Sequence, residues 1–128
     1  MAIGTILIVE DDATLASAVA RNLVARRYPT RSVGTVAAAL EALQEQMTAL
    51  VLLDIDLPDG SGWEILRTLR AEGRQDVPVV VMSALRPNPR LVAELHCVGV
   101  LEKPFPMDSL LRMVQQYLGR PQDIVAVD

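Results

Sequence analysis

Short runs of Val, Ile and Leu at Ile6–Val9, Leu50–Leu53 and Val77–Met82 show no alternation of apolar with polar residues. A strand with one face in water alternates. An unbroken apolar strand has both faces covered, as in a parallel sheet packed between helices. Weaker runs lie at Thr30–Val33 and Gly99–Leu101. The stretches between have helical spacing: Leu15, Val19 and Leu23 recur every four residues, as do Val36 and Leu40, followed by Leu43 and Met47. Ile65, Leu66 and Leu69 mark a third helix that Gly73 is placed to end. Asn88-Pro89 reads as an N-cap with proline in the first turn, opening a short fourth helix through about Cys97. Leu110, Leu111, Val114 and Leu118 form a fifth, stopped by Gly119 and Pro121. Five strands alternating with five helices predict an α/β fold, a doubly wound parallel sheet with right-handed crossovers.

The 128 residues suffice for one domain, expected over 1–120, with 121–128 as a tail or linker stub. Aromatic residues are 3% of the chain, so the core is aliphatic and stacking on single-stranded nucleic acid is not expected. Twelve Lys and Arg against sixteen Asp and Glu leave a net charge of −4, which disfavours direct binding to nucleic acid or to an anionic membrane. A single cysteine excludes an internal disulfide and a multi-cysteine metal site. Next to His96, that residue (Cys97) reads as a small buried hydrophobe. Met47, Met82, Met107 and Met113 fall at core spacings, and Trp63 and Tyr117 read as packing residues on helix surfaces. No run approaches the ~20 apolar residues of a membrane span. The acidic Glu10-Asp11-Asp12 after the first run does not suit a signal peptide. The expected location is the cytoplasm, with no membrane partner.

In a doubly wound sheet, ligands bind beyond the carboxyl ends of the strands. The first strand delivers Glu10, Asp11 and Asp12 to that edge, the third Asp54 with Asp56 two residues on, the fourth Ser83 and the fifth Lys103. Carboxylates gathered there repel one another unless neutralised, and an oxygen-ligated divalent cation and a lysine are the available means. Singly, each Asp reads as a turn or cap residue, and Ser83 and Lys103 as ordinary surface groups. Together they supply what phosphoryl transfer needs: an attacking carboxylate, a metal to offset charge, and a hydroxyl and an ammonium for the remaining oxygens.

The segments "ILIVEDD", "LVLLDIDLPDGSG", "VPVVVMSA" and "LEKPF" resemble, in order and spacing, the receiver (response-regulator) domains of two-component signalling, over about Ile6 to Leu118. Asp54 with Pro58 four residues on and Gly62 eight on fits that pattern closely. The resemblance implies a flavodoxin-like sheet of order 2-1-3-4-5. It implies that Asp54 is the phosphoacceptor and that Mg²⁺ is held by Glu10, Asp11, Asp54 and the backbone carbonyl of Asp56. Ser83 and Ala84 would bind the phosphoryl group, Ser83 as the switch hydroxyl, with Lys103 pairing to its oxygens and Lys103-Pro104 cis. Asp12 would start the first helix. The implied donor is a histidine kinase or phosphotransfer protein. Output would run through a homodimer or downstream effector on the face from the fourth to the fifth helix. Such a chain is not an enzyme beyond phosphorylating and dephosphorylating itself.

Three departures lie on that output face. Val100 stands where receivers carry Tyr or Phe, the span from Ser83 to Lys103 is short and holds Pro87 and Pro89, and Leu95-His96-Cys97 replaces a small-residue stretch. They keep open a phosphate-independent pseudo-receiver that acts as an interaction module. The "DIDLP" segment faintly resembles haloacid-dehalogenase-type phosphatases, although those carry the motif on the first strand rather than the third. The chain is either a stand-alone receiver that works by docking or a piece of a longer regulator.

Overall fold

Along β1 (Thr5–Val9) the unbroken apolar run is divided between two cores. Ile6 and Ile8 pack with Ala16, Val19 and Leu23 of α1 (Ala13–Ala25) and Leu110, Leu111 and Val114 of α5 (Met107–Leu118). Leu7 and Val9 pack with Ala39, Ala42 and Leu43 of α2 (Val36–Glu45) and Ile65, Leu66 and Leu69 of α3 (Gly62–Ala71). The same two-residue period splits Leu50 and Leu52 from Val51 and Leu53 on β3 (Thr48–Asp54), and Val80 and Met82 from Val79 and Val81 on β4 (Val79–Ser83). Both faces are apolar because helices cover both.

The computed structural model describes residues 4–119, so the expected tail at 121–128 lies outside the described residues. With β2 (Thr30–Val33) and β5 (Gly99–Glu102), the strands form one parallel sheet in the order β2-β1-β3-β4-β5, the doubly wound flavodoxin-like arrangement. Local chemistry sets the helix starts. Asp12 caps α1 through the amides of Thr14 and Leu15 (3.0 and 3.2 Å), Thr35 caps α2, and Ser61 caps α3. Gly73 follows α3 at φ 79°, a left-handed position suited to glycine.

α4 (Pro89–Glu94) opens on Asn88, whose side chain accepts from Arg90 N at 2.9 Å, but it stops short of Cys97. Leu95 ends it and His96 turns left-handed at φ 54°, a change that apolar spacing does not record. α4 buries no side chain. Its end is held from α3, where buried Arg70 donates to the carbonyls of Leu95 (2.9 Å), His96 (3.1 Å), Arg74 (2.8 Å) and Val77 (3.0 Å).

Three smaller expectations are corrected. Met47 is 61% exposed, because α2 ends at Glu45 and extended Gln46 breaks the helical register. The fourth strand begins at Val79 rather than Val77. Cys97 is half-buried rather than buried. Beyond the sheet, Asp56–Leu57 and Gly60–Ser61 pair antiparallel in a small ribbon after β3.

Candidate functional site

Because all five strands run parallel, their carboxyl ends share one edge. Glu10 and Asp11 follow β1, Asp54 ends β3, Ser83 ends β4 and Lys103 follows β5. Backbone bonds tie these ends together: Lys103 N donates to Ser83 O at 2.8 Å, and Glu10 N to Val33 O at 3.0 Å. Pairing of Asp54 with Met82, and of Ser83 with Glu102, sets the heights of the acid and the hydroxyl.

One oxygen each from Glu10, Asp11 and Asp54 lies within 4.8 Å of the others. Glu10 and Asp54 are buried and Asp11 is exposed. Lys103 Nζ sits 2.5 Å from Glu10 Oε1 and 3.4 Å from Asp54 Oδ2. Glu10 Oε2 accepts from Asp12 N at 3.1 Å, and Asp54 Oδ1 from Asp56 N at 3.1 Å. Burial raises the Glu10 carboxyl to about 7, with neighbouring Asp54 adding to the rise and the Lys103 ammonium and the Asp12 amide opposing it. Burial works against the Lys103 charge too, but attraction from Glu10 and then Asp54 outweighs it, so the ammonium titrates above its ordinary value. Lys103 is the chain's only lysine among twelve basic residues, a compositional signal that marks the position. A compact ammonium fits between two carboxylates where the broad guanidinium fork does not.

Three carboxylates and one ammonium leave excess negative charge at an oxygen-only site. That donor set fits a hard divalent cation such as Mg²⁺. Ser83 is buried, and its Oγ accepts from Leu85 N at 3.3 Å, leaving the hydroxyl proton to donate outward. Ala84, Lys103, Pro104 and Phe105 line a depression of about 460 Å³ at the same edge, together with Asp12 and Leu15. The Lys103–Pro104 peptide is cis. Asp56 lies at the start of the ribbon, exposed beside Trp63.

Val100 stands apart from this cluster. It lines a separate groove of about 780 Å³ between α4 and β5, with Val92, Val98, Pro87 and Pro89 among its walls. Asp59, which the sequence reading did not single out, accepts from the amides of Val36 (2.7 Å) and Ala37 (3.1 Å) at the start of α2. A Pro-Asp-Gly turn announces the bend but not its distant partner.

The family model of the response regulator receiver domain matches residues 6–115. The transcriptional regulatory protein KdpE of Mycobacterium tuberculosis is 33% identical over 117 residues, covering 90% of this chain and 51% of KdpE. The chain thus spans about half the length of that curated relative. A CheY-like receiver domain protein from Methanospirillum hungatei superimposes with a TM-score of 0.83 at 22% identity, covering 90% of this chain and 93% of that one, a likeness of fold. The receiver domain of a sensor histidine kinase from Pseudomonas aeruginosa, solved with magnesium in its active site cleft, gives 0.79 at 26% identity, covering 92% of this chain and 99% of that one.

Proposed function

This chain belongs to the response regulator receiver domain family, and from that premise we propose that Asp54 accepts a phosphoryl group from the phosphohistidine of a histidine kinase or phosphotransfer protein. The observation that carries this reading is the meeting of Glu10, Asp11 and Asp54 within 4.8 Å, with Lys103 between two of them. An Asp54 carboxylate oxygen attacks phosphorus, the P–O bond forms as the P–N bond breaks, and the imidazole leaves with the bonding electron pair.

Glu10, Asp11, Asp54 and the Asp56 carbonyl are the groups to hold Mg²⁺. When bound, the ion offsets charge on the carboxylates and on the transferring group. Lys103 pairs with one phosphoryl oxygen. The Ser83 hydroxyl and the Ala84 amide receive the others. Their new bonds draw the end of β4 toward Asp54, and this biases the segment leading into α4. The chemistry is confined to the chain's own phosphorylation and dephosphorylation, in the cytoplasm. Output runs through the face from α4 to α5, to a second copy or an effector, without direct contact to nucleic acid. No helix of the described residues is long and apolar enough to cross a membrane.

The test is incubation with acetyl phosphate and Mg²⁺, read by intact mass. Wild type gains one phosphoryl group and Asp54→Asn gains none; equal gain in both, or none in wild type, contradicts the assignment.

The unburied α4 and Val100 favour one other reading, a phosphate-independent interaction module. Beryllofluoride with Mg²⁺ separates the two. The phosphoacceptor reading expects shifted amide signals around Ser83, and the module expects none.

A further inference from the structure

Asp59 takes no part in the chemistry above, yet its carboxylate is committed to two bonds. It sits at the turn of the ribbon formed by Asp56–Leu57 and Gly60–Ser61, and it accepts from Val36 N (2.7 Å) and Ala37 N (3.1 Å). α2 already has a local cap, since Thr35 Oγ1 accepts from Ala38 N at 3.0 Å. The bonds from Val36 and Ala37 hold the exposed Asp59 carboxyl below its ordinary value, so it is ionised at neutral pH.

The proposed cation site is assembled from two halves on different strands, Glu10–Asp11 after β1 and Asp54–Asp56 at the end of β3. The corner between β2 and α2 touches the first half directly and reaches the second through Asp59. Glu10 N donates to Val33 O at 3.0 Å, and a Cβ built on Gly34 would lie 3.7 Å from Asp11 Cα and from Glu10 O. Two residues further on, the same corner presents the amides that hold Asp59. The ribbon between Asp59 and Asp54 is closed by its own backbone bonds: Asp56 pairs with Ser61, and Gly62 N donates to Ile55 O at 2.7 Å. A Cβ on Gly62 would lie 2.5 Å from Asp54 O, so the ribbon closes tightly onto the phosphoacceptor.

We infer that Asp59 is a positioning residue: by bridging the ribbon to the first amides of α2, it fixes the Asp54–Asp56 half of the site against the Glu10–Asp11 half. This role rests on the cation-dependent reading of the site. Groups that hold metal ligands in place tune affinity without touching the ion.

The experiment titrates Mg²⁺ into the full chain while following Trp63, which lines the depression beside Asp56 and Ser83. Phosphorylation by acetyl phosphate is measured across the same Mg²⁺ range. For Asp59→Ala the half-saturating Mg²⁺ concentration is expected to rise about fivefold, the scale of losing a helix cap, with an unchanged rate at saturating Mg²⁺. Asp59→Asn keeps one acceptor oxygen, falls between the two, and keeps the test readable if the alanine variant loosens α2. Glu64→Gln removes an equal charge next to Gly60 without touching α2, and is expected to leave half-saturation near wild type.

An unchanged half-saturation in Asp59→Ala, or an equal rise in Glu64→Gln, overturns the role. A wild type indifferent to Mg²⁺ overturns the cation site and the role with it. A responsive wild type with an indifferent Asp59→Ala overturns the role alone.

Discussion

Glu10 is the residue on which the electrostatics turn. Its carboxyl is raised from an ordinary 4.5 to about 7, chiefly by burial, so the folded chain without metal holds a proton there that the unfolded chain has lost. Stability therefore falls as pH rises from about 4.5 through about 7. In chelator, Tm is expected to decline over that window, and Glu10→Gln is expected to flatten the decline. A slope that persists in the variant assigns it to another group. A cation must displace the same proton, so Mg²⁺ affinity should climb with pH and level off above about 7. Lys103 offers an independent reading, because reductive methylation with labelled formaldehyde marks one side chain only. Its signal should titrate above an ordinary lysine, since attraction from Glu10 and Asp54 outweighs its burial, and Glu10→Gln should bring it down.

At the scale of elements, what the sequence discloses depends on how local the cause is. The cap at Asn88 and the stop at Gly73 act on neighbours a few residues away, so spacing and residue type reveal them. The end of α4 and the exposure of Met47 follow from the left-handed backbone at His96 and the extended backbone at Gln46, which apolar periodicity does not encode. Arg70 is the extreme case. The apolar spacing of α3 does not single it out, yet it is buried and bonds four carbonyls from two separate segments. Because α4 buries nothing itself, this guanidinium anchors its far end. Arg70→Met strands those carbonyls, and urea denaturation should show a loss of about 2–4 kcal/mol. Hydrogen exchange should quicken first around Leu95–Cys97. Uniform quickening across the sheet would argue against a local anchor.

For the whole molecule, the site was legible because parallel topology carries every strand end to one edge. Once the strands are read from Ile6–Val9, Leu50–Leu53 and their companions, Glu10, Asp11, Asp54, Ser83 and Lys103 follow as neighbours. Which atom of Lys103 meets which carboxylate was not legible, nor was the bridge from Asp59 to α2, since both depend on contacts between distant segments. Val100 opens onto a groove of about 780 Å³ between α4 and β5, at the position where the family resemblance implies an aromatic ring. Val100→Tyr should therefore fit without overpacking and leave Tm within about 3 °C of wild type; a larger fall would mean that the groove closes in solution.

The proposed phosphoacceptor role requires that Asp54 take phosphate only beside its acidic neighbours and a cation. Borohydride reduces an aspartyl phosphate to homoserine, and peptide mapping of the reduced protein then locates it. After acetyl phosphate treatment, homoserine is expected at position 54 alone, present with Mg²⁺ and absent with chelator. Homoserine at another position, or equal conversion without the cation, would contradict it.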